Sequence, residues 1–474
     1  MSQRIFTVLT IDGGGIRGLM TARLLQEIED RTGKPISELY DLIVGSSTGS
    51  IVVGCLTAPS KDDPTKPRYT AKETMDFYVK DGETVFPPDR YRQLRHLLPG
   101  MNGFFDPTAF EKILDEQLGD LTMSDSLNYI MIAGTDMKKF RPVWMSNFKD
   151  KGKREDFTQK WESLKLKDAI RASASAPTVF PAKYIYNHPN KNNPAAQERH
   201  AFLDGSLFAS TIARRAYTQA KKLATEGSRI VVTSLGTGAM EPNLTPDQLN
   251  QMSMLDWVRN ARGASIFNVS VEMTMQDIMN DLREELGDDL YRFNVTVDPD
   301  HPDCPDMSLT NAKASNIEKL LKIADKMIDT HDEQIDRLCE VLLARHHIEQ
   351  QYEISSDSFV KLTEMLNGCE TSTELGKLYA FIVQYANDDE ELKVSSKNQE
   401  IYELSSSLQP LHIKKLEGIY NVHLEALVDA EVQEKKMKSF WSRFNIFAKK
   451  KQPTPKNDNV PSKPEKKQKG QKPR

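Results

Sequence analysis

Cysteine is scarce in this chain: Cys55, Cys304, Cys339 and Cys369 are scattered over 474 residues with no C-x-x-C pair. That argues against a disulfide framework and a cysteine-rich zinc site, and predicts free thiols in a reducing compartment. Long apolar runs are missing as well. No stretch approaches about 18 consecutive apolar residues, so no transmembrane helix is expected. The early run IFTVLTI is too short for a signal-peptide core and reads as a first strand, which predicts a cytoplasmic protein. There is no internal repeat. Histidine is sparse: nine residues at 96, 188, 200, 301, 331, 346, 347, 412 and 423. Most fall in charged helical runs or Asn/Pro/Asp-rich loops, and His200 alone lies near a strand expected to reach the sheet edge.

Charge is plentiful and unevenly placed. From Lys435 to Arg474 there are 14 Lys and Arg against Asp458 and Glu465, a charge of +12 in a chain whose net charge is −5. The preceding 434 residues therefore carry −17. An acidic body with a basic tail implies an anionic partner for the tail, either membrane or nucleic acid.

Residues 4 to about 58 alternate strand, glycine loop, helix, strand, sharp turn, helix. Leu19, Met20, Leu24, Leu25 and Ile28 recur at helical spacing, and Thr32-Gly33-Lys34-Pro35 ends that helix. DLIV (41–44) is a short buried strand, and further strands read at 127–136, 199–205 and 229–238. This alternation predicts a parallel sheet with crossover helices. Residues 59–106, rich in Lys, Pro and Asp, read as a long insertion. After about 245 the pattern turns helical, with one long helix predicted over 316–347 and a second helical region over about 356–436. From Lys449 onward the chain is Lys, Pro, Gln and Asn-rich and cannot build a core.

The first strand runs into Asp12-Gly13-Gly14-Gly15-Ile16-Arg17-Gly18. The G-x-G-x-x-G spacing suits a dinucleotide, but the next strand should then end in an acid for the ribose. DLIV ends instead in Gly45-Ser46-Ser47-Thr48-Gly49. A phosphate-binding P-loop fails too, since neither glycine cluster is followed by Lys-Ser or Lys-Thr. Gly45 to Gly49 fits G-x-S-x-G, in which a serine nucleophile projects from a tight strand-to-helix turn flanked by small residues. Loops after neighbouring parallel strands share one sheet edge, which puts the amides of Gly13 to Gly15 beside Ser47. The charge they would hold is a transient oxyanion.

Ser47 needs a base. His200 is the histidine candidate, and a structural role is the competing reading for it. The carboxylate candidate is Asp204 in Phe202-Leu203-Asp204-Gly205-Ser206, ending an apolar strand at a carboxyl edge. Burial beside Phe202 would raise its pKa and make proton abstraction feasible. A plain Asp-Gly turn is the alternative.

Taken together, these segments resemble the patatin-like phospholipase family over about residues 1–240. The likeness rests on Asp12 to Gly18, Gly45 to Gly49 and Asp204-Gly205-Ser206, with support from AIRASASAPTVFPA (169–182) and SLGTG (234–238). LYRFNV (290–295) extends it weakly to about 345. The resemblance implies a three-layer α/β/α sandwich and hydrolysis of phospholipid acyl esters without metal or other cofactor. It implies Ser47 as nucleophile, Asp204 as base, and an oxyanion hole at Gly13, Gly14 and Gly15 near Arg17 and Gly18. The family usually has Asp-Gly-Gly or Asp-Gly-Ala where this chain has Asp204-Gly205-Ser206. The expected organisation is a catalytic domain over 1–345, a helical region over 346–434 and a basic segment over 435–474.

Near the tail, Phe440, Trp441, Phe444 and Phe447 fall at helical steps among Lys and Arg, which suits a helix lying on an anionic bilayer. Packing against the body is the alternative. Lipid chemistry tips the reading toward the membrane, and no nucleic-acid partner is expected. FPPDRYRQLRHLLPGMNGFF (86–105) suggests a lid, and DPDHPDCPD (298–306) lacks the glycine and terminal glutamate of a calcium loop and reads as an acidic turn. Two rival readings stand: a catalytically silent lipid- or protein-binding scaffold, and an ordinary triad hydrolase using His200.

Overall fold

The structure is a computed structural model that describes residues 4–88, 104–148, 161–186, 199–209, 212–225, 227–241, 244–259, 266–355 and 357–387, and scattered positions between 401 and 430. Its centre is a parallel sheet formed by β1 (Ile5–Ile11), β2 (Leu42–Gly45), β3 (Tyr129–Asp136), β7 (Arg229–Leu235) and β8 (Leu290–Phe293), in the order β3-β2-β1-β7-β8. Every residue of β1 is buried. A strand covered on both faces needs no polar alternation, which is why its sequence reads as an almost continuous apolar run. Leu9 and Ile11 face one core, while Phe6 and Val8 face the other.

The larger core lies under α1 (Gly18–Thr32), α2 (Thr48–Thr57), α3 (Ala71–Val85), α4 (Thr108–Leu118) and α5 (Leu166–Ser173). The opposite face is covered by α6 (Ala213–Leu223) and α7 (Ile266–Leu286). The architecture is therefore a three-layer α/β/α sandwich. Gly33 adopts φ 63° at the end of α1, the left-handed cap expected of a glycine stop.

Two expectations change. The stretch 59–106 is not wholly an insertion, because α3 lies inside it and packs in the main core. Its buried positions Ala71, Thr74, Tyr78 and Gly82 are small or polar and sit among Lys, Asp and Glu, so the helical period is masked. Thr70 and Glu73 close a capping box at its start. Most of the proposed lid, 89–103, lies outside the described residues.

The single helix expected over 316–347 is two, α8 (Ala314–Thr330) and α9 (Asp332–Ser355). His331 ends the first: its N–H is shared between Met327 O and Ile328 O, and its Nδ1 donates to Met327 O at 2.8 Å. α9 is pinned to the sheet by Arg345, which bonds the Asp41 carboxylate and, at 2.8 Å, Glu38 O. Beyond it, helices Asp357–Asn367 and Ser372–Asn387 share a small separate core with Leu416. The four cysteines are free thiols. Among the described residues no helix is long and apolar enough to cross a membrane.

Candidate active site

The direction of β6 (Arg199–Asp204) decides the geometry of the site. Along β3, β2 pairs in parallel from Tyr129 to Ile132, whereas β6 pairs antiparallel from Gly134 to Asp136. β4 (Arg141–Ser146) pairs with β3 from Met131 to Asp136. A strand has two edges, so β4 fills one while β2 and β6 share the other, approaching each other head-on. Asp204 was expected at the carboxyl edge of a parallel strand. It reaches the same place from the opposite direction, because β3 extends past β2 and turns β6 back toward it.

At the end of β2, Ser46 and Ser47 form the sharp turn into α2. Ser47 has φ 52° and ψ −123°, a conformation that costs a non-glycine residue about 1–3 kcal/mol and concentrates at functional sites. The turn packs tightly on β1: a Cβ on Gly49 would stand 2.0 Å from Ile11 O. The Ser47 N–H donates to Ser173 Oγ at 2.9 Å, so that amide is committed to holding the turn. The positive end of the α2 dipole lies at this point.

The glycine loop lies alongside. A Cβ on Gly13 would come within 3.1 Å of Ser47 Cβ. The loop's carbonyls are tied back: Thr237 Oγ1 donates to Gly13 O at 2.6 Å, and Arg17 donates to Gly14 O through Nε at 3.2 Å. Gly15 takes φ 58°, and a Cβ there would meet Leu309 O at 2.2 Å, so glycine is required for both reasons. Within the described residues no hydrogen bond uses the N–H of Gly13, Gly14 or Gly15. Arg17 also bonds Gly238 O at 2.9 Å, and burial pushes its pKa down to about 10. Gly18 lets α1 start against α2, since a Cβ there would meet Thr48 Oγ1 at 2.4 Å.

Asp204 is buried, and burial raises its carboxyl pKa above the ordinary value, opposed by the Ser206 hydroxyl, the Ser206 amide and the Ser47 hydroxyl. Among the described residues nothing hydrogen-bonds Asp204 Oδ2 within 3.5 Å, although Ser47 is near enough to favour its ionised form. Gly205 fits against β3 where a Cβ would lie 2.5 Å from Ala133 O. His200 sits four residues back along β6, roughly 13 Å by strand rise. It is buried with its Nδ1 3.0 Å from Asp136 Oδ2, an arrangement that ties β6 to β3 rather than serving Ser47.

An apolar cavity of about 100 Å³ opens from Ser47 between α2, α3 and α4, walled by Ile51, Tyr78, Val85, Phe110, Val179 and Phe180. Two features of the site were missed in the sequence. Arg292 on β8 crosses the sheet end to Asp12 Oδ2 at 2.7 Å and Ser234 Oγ at 2.8 Å, bracing the start of the glycine loop. Ser173 and Ser175, in the segment after Arg171, hold the Ser47 amide and, through Ser175 O, the Asp204 amide at 3.1 Å. A charged residue inside the strand LYRF needs a buried partner, and that was the available signal for Arg292.

The acidic turn at 298–306 bonds to itself, with the Asp300 N–H on Asp298 and the Asp303 N–H on His301. Residues 435–474, including Phe440, Trp441, Phe444 and Phe447, lie outside the described residues.

The chain is similar to known proteins over the residues that build this candidate site. The model described as "Patatin-like phospholipase" matches residues 9–217. "Patatin-like protein 1" of Arabidopsis thaliana is 23% identical over 405 residues, covering 75% of this chain and 94% of its own. "Probable inactive patatin-3-Kuras 1" of Solanum tuberosum is 26% identical over 272 residues, covering 53% of this chain and 68% of its own. Among solved structures, human GIVD cytosolic phospholipase A2 in complex with an inhibitor covers 72% of this chain and 60% of its own, at 13% identity and a TM-score of 0.33. On this match and the patatin-like relatives, residues 9–217 form a patatin-like phospholipase domain.

Proposed function

We propose that this chain hydrolyses acyl esters of phospholipids through a Ser47–Asp204 dyad. The observation that supports the reading is a strained serine, unbonded glycine amides and a buried, unpartnered carboxylate oxygen at one end of the sheet, beside an apolar cavity lined by Ser47 and Gly15. Asp204 Oδ2 takes the Ser47 proton as Oγ bonds to the ester carbon. The carbonyl electrons move onto oxygen, where the amides of Gly13 to Gly15 stabilise the charge. Collapse breaks the bond to the leaving alcohol, which receives the proton from Asp204. Water, deprotonated by the same carboxylate, then attacks the acyl-serine, and the proton returns to Ser47 as the fatty acid leaves. Every proton is accounted for within the dyad, and the scheme calls on no cofactor. The test is fatty-acid release from mixed phospholipid vesicles by the full chain, with the Ser47→Ala protein as control. Release unaffected by that change would remove the reading.

The apolar cavity is the acyl-chain site in this scheme. Filling it should separate substrates by length. Ile51→Trp is expected to lower kcat/KM for long-chain phospholipids about ten-fold or more while a short-chain ester changes by less than about three-fold. Equal losses on both substrates would argue that acyl chains bind elsewhere.

Residues 435–474 are the proposed contact with anionic bilayers. Each basic residue near such a surface contributes about 1 kcal/mol, so removing 435–474 is expected to weaken binding to anionic liposomes at low salt by at least about ten-fold. Cosedimentation with and without anionic lipid measures this directly. Unchanged binding would assign the contact to the body.

A further inference from the structure

The Asp204 carboxyl group has two oxygens with opposite surroundings. Its backbone is fixed on both sides: the N–H donates to Ser175 O at 3.1 Å, and the carbonyl accepts from Thr135 Oγ1 at 2.8 Å. What remains free is rotation of the carboxyl group. Ser206 removes that freedom from one oxygen, since its N–H and its Oγ both donate to Oδ1, at 2.9 and 2.5 Å. Oδ2 is buried and has no hydrogen-bond partner among the described residues. The Ser206 side chain also touches the glycine loop, because a Cβ on Gly13 would lie 3.4 Å from Ser206 Cβ and 3.1 Å from Ser47 Cβ. Two serines thus lie near the same point of the loop, on the face where a Gly13 side chain would stand.

We propose that Ser206 is a positioning residue that assigns the two oxygens of Asp204 their roles, anchoring Oδ1 so that Oδ2 is presented to Ser47 as the proton acceptor. The assignment rests on the dyad reading and adds to it. An unanchored carboxylate can present either oxygen, or rotate both off the serine, and each wrong rotamer is a dead orientation. A hydroxyl that donates to one oxygen breaks that symmetry, because it satisfies Oδ1 and leaves Oδ2 as the stronger acceptor. The amide of residue 206 makes the same contact in any sequence, whereas the hydroxyl depends on serine. Where Gly or Ala follows Asp-Gly, the hydroxyl anchor is absent.

The same bond bears on proton affinity. Donation from Ser206 favours the ionised carboxylate against the desolvation that raises its pKa. Deleting the hydroxyl therefore moves the carboxyl pKa further upward. Because the ionised form is the active base, the acid limb of the kcat/KM profile should move to higher pH.

The experiment compares wild type, Ser206→Ala, Ser206→Gly and Ser206→Thr over an acidic-to-neutral pH series, with Ser47→Ala and Asp204→Asn alongside. Ser206→Ala is expected to shift the acid limb upward and to lose about ten-fold in kcat/KM at pH values on that limb, carried by kcat rather than KM. Ser206→Gly should behave alike, which keeps the test open if one variant folds poorly by circular dichroism. Ser206→Thr, which keeps the hydroxyl, should return the limb close to wild type. An acid limb in the Ala and Gly variants that superimposes on wild type overturns the assignment, as does a Thr variant no better than Ala. If Ser47→Ala and Asp204→Asn also keep their turnover, the dyad itself falls and the assignment with it. If those two are inactive while the limb stays put, Ser206 alone loses its role.

Discussion

Ser47→Ala is expected to lower fatty-acid release by at least about 10³-fold, and Asp204→Asn by about 10²–10⁴-fold, with both proteins folded. The first removes the atom that bonds to the acyl carbon, and among the described residues no other hydroxyl stands on a strand-to-helix turn with a positive φ. Ser206 is bonded to Asp204 and sits on a short turn without the positive φ of Ser47. The second leaves the shape of the site intact but replaces the proton acceptor with an amide. Because burial raises the Asp204 pKa, the wild-type rate should fall as pH drops through a value above the ordinary 3.8 of an aspartate. The two variants part company in stability. An aspartate whose folded pKa is raised contributes stability that is present below its unfolded pKa and lost as pH rises through the folded value. At neutral pH Asp204 is therefore a stability cost, and Asp204→Asn should unfold at the same temperature as wild type or higher. Ser47→Ala keeps the strained φ and should change stability little, while Ser47→Gly relieves it and should gain about 1–2 kcal/mol. Thermal unfolding and a phospholipid assay on the same preparations read both effects. Activity retained in either variant, or collapse of the fold in Asp204→Asn, contradicts the arrangement described.

Much of this candidate site was legible because the proposed chemistry leaves marks at single positions. A nucleophile turn needs small residues on both sides, and an oxyanion loop needs amides that no Cβ obstructs, so Gly45, Gly49 and Gly13 to Gly15 stand out in sequence. β1, β2 and β7 were readable because doubly covered strands are continuous apolar runs. What stayed hidden depends on pairing between distant segments. The local sequence of Phe202 to Gly205 is the same whether β6 runs with β3 or against it, and direction is set by which edge of β3 lies open beyond β2. The helix α3 was obscured because its buried face is made of Ala, Thr, Tyr and Gly, which carry little hydropathy signal. The break at His331 rests on one side chain turning back onto Met327 O. The roles of Ser173 and Ser175 could not be read at all, since a serine run after a helix is ordinary until two catalytic-edge amides are found bonded to it.

Arg292→Met is expected to destabilise the protein by about 3 kcal/mol at neutral pH, because it strands a carboxylate rather than removing a bond between two free groups. Asp12 is buried, its pKa already lies above the ordinary value through desolvation, and Arg292 is the main influence holding it down. Without the guanidinium, Asp12 either stays ionised in a poorly solvated place or binds a proton that the unfolded chain would not hold. The penalty should therefore grow as pH rises from acid toward neutral, and shrink where Asp12 is protonated in both proteins. Asp12 opens the glycine loop, so the same substitution should also loosen the amides beside Ser47 and lower kcat more than it raises KM. The double variant Asp12→Asn/Arg292→Met separates charge from shape. With no charge left buried, it should recover most of the lost stability in urea unfolding while turnover stays depressed, since the brace across β8, β7 and the loop is still missing. If the single and double variants are equally unstable at every pH, the pair matters through packing alone, and the loop draws no support from its charge.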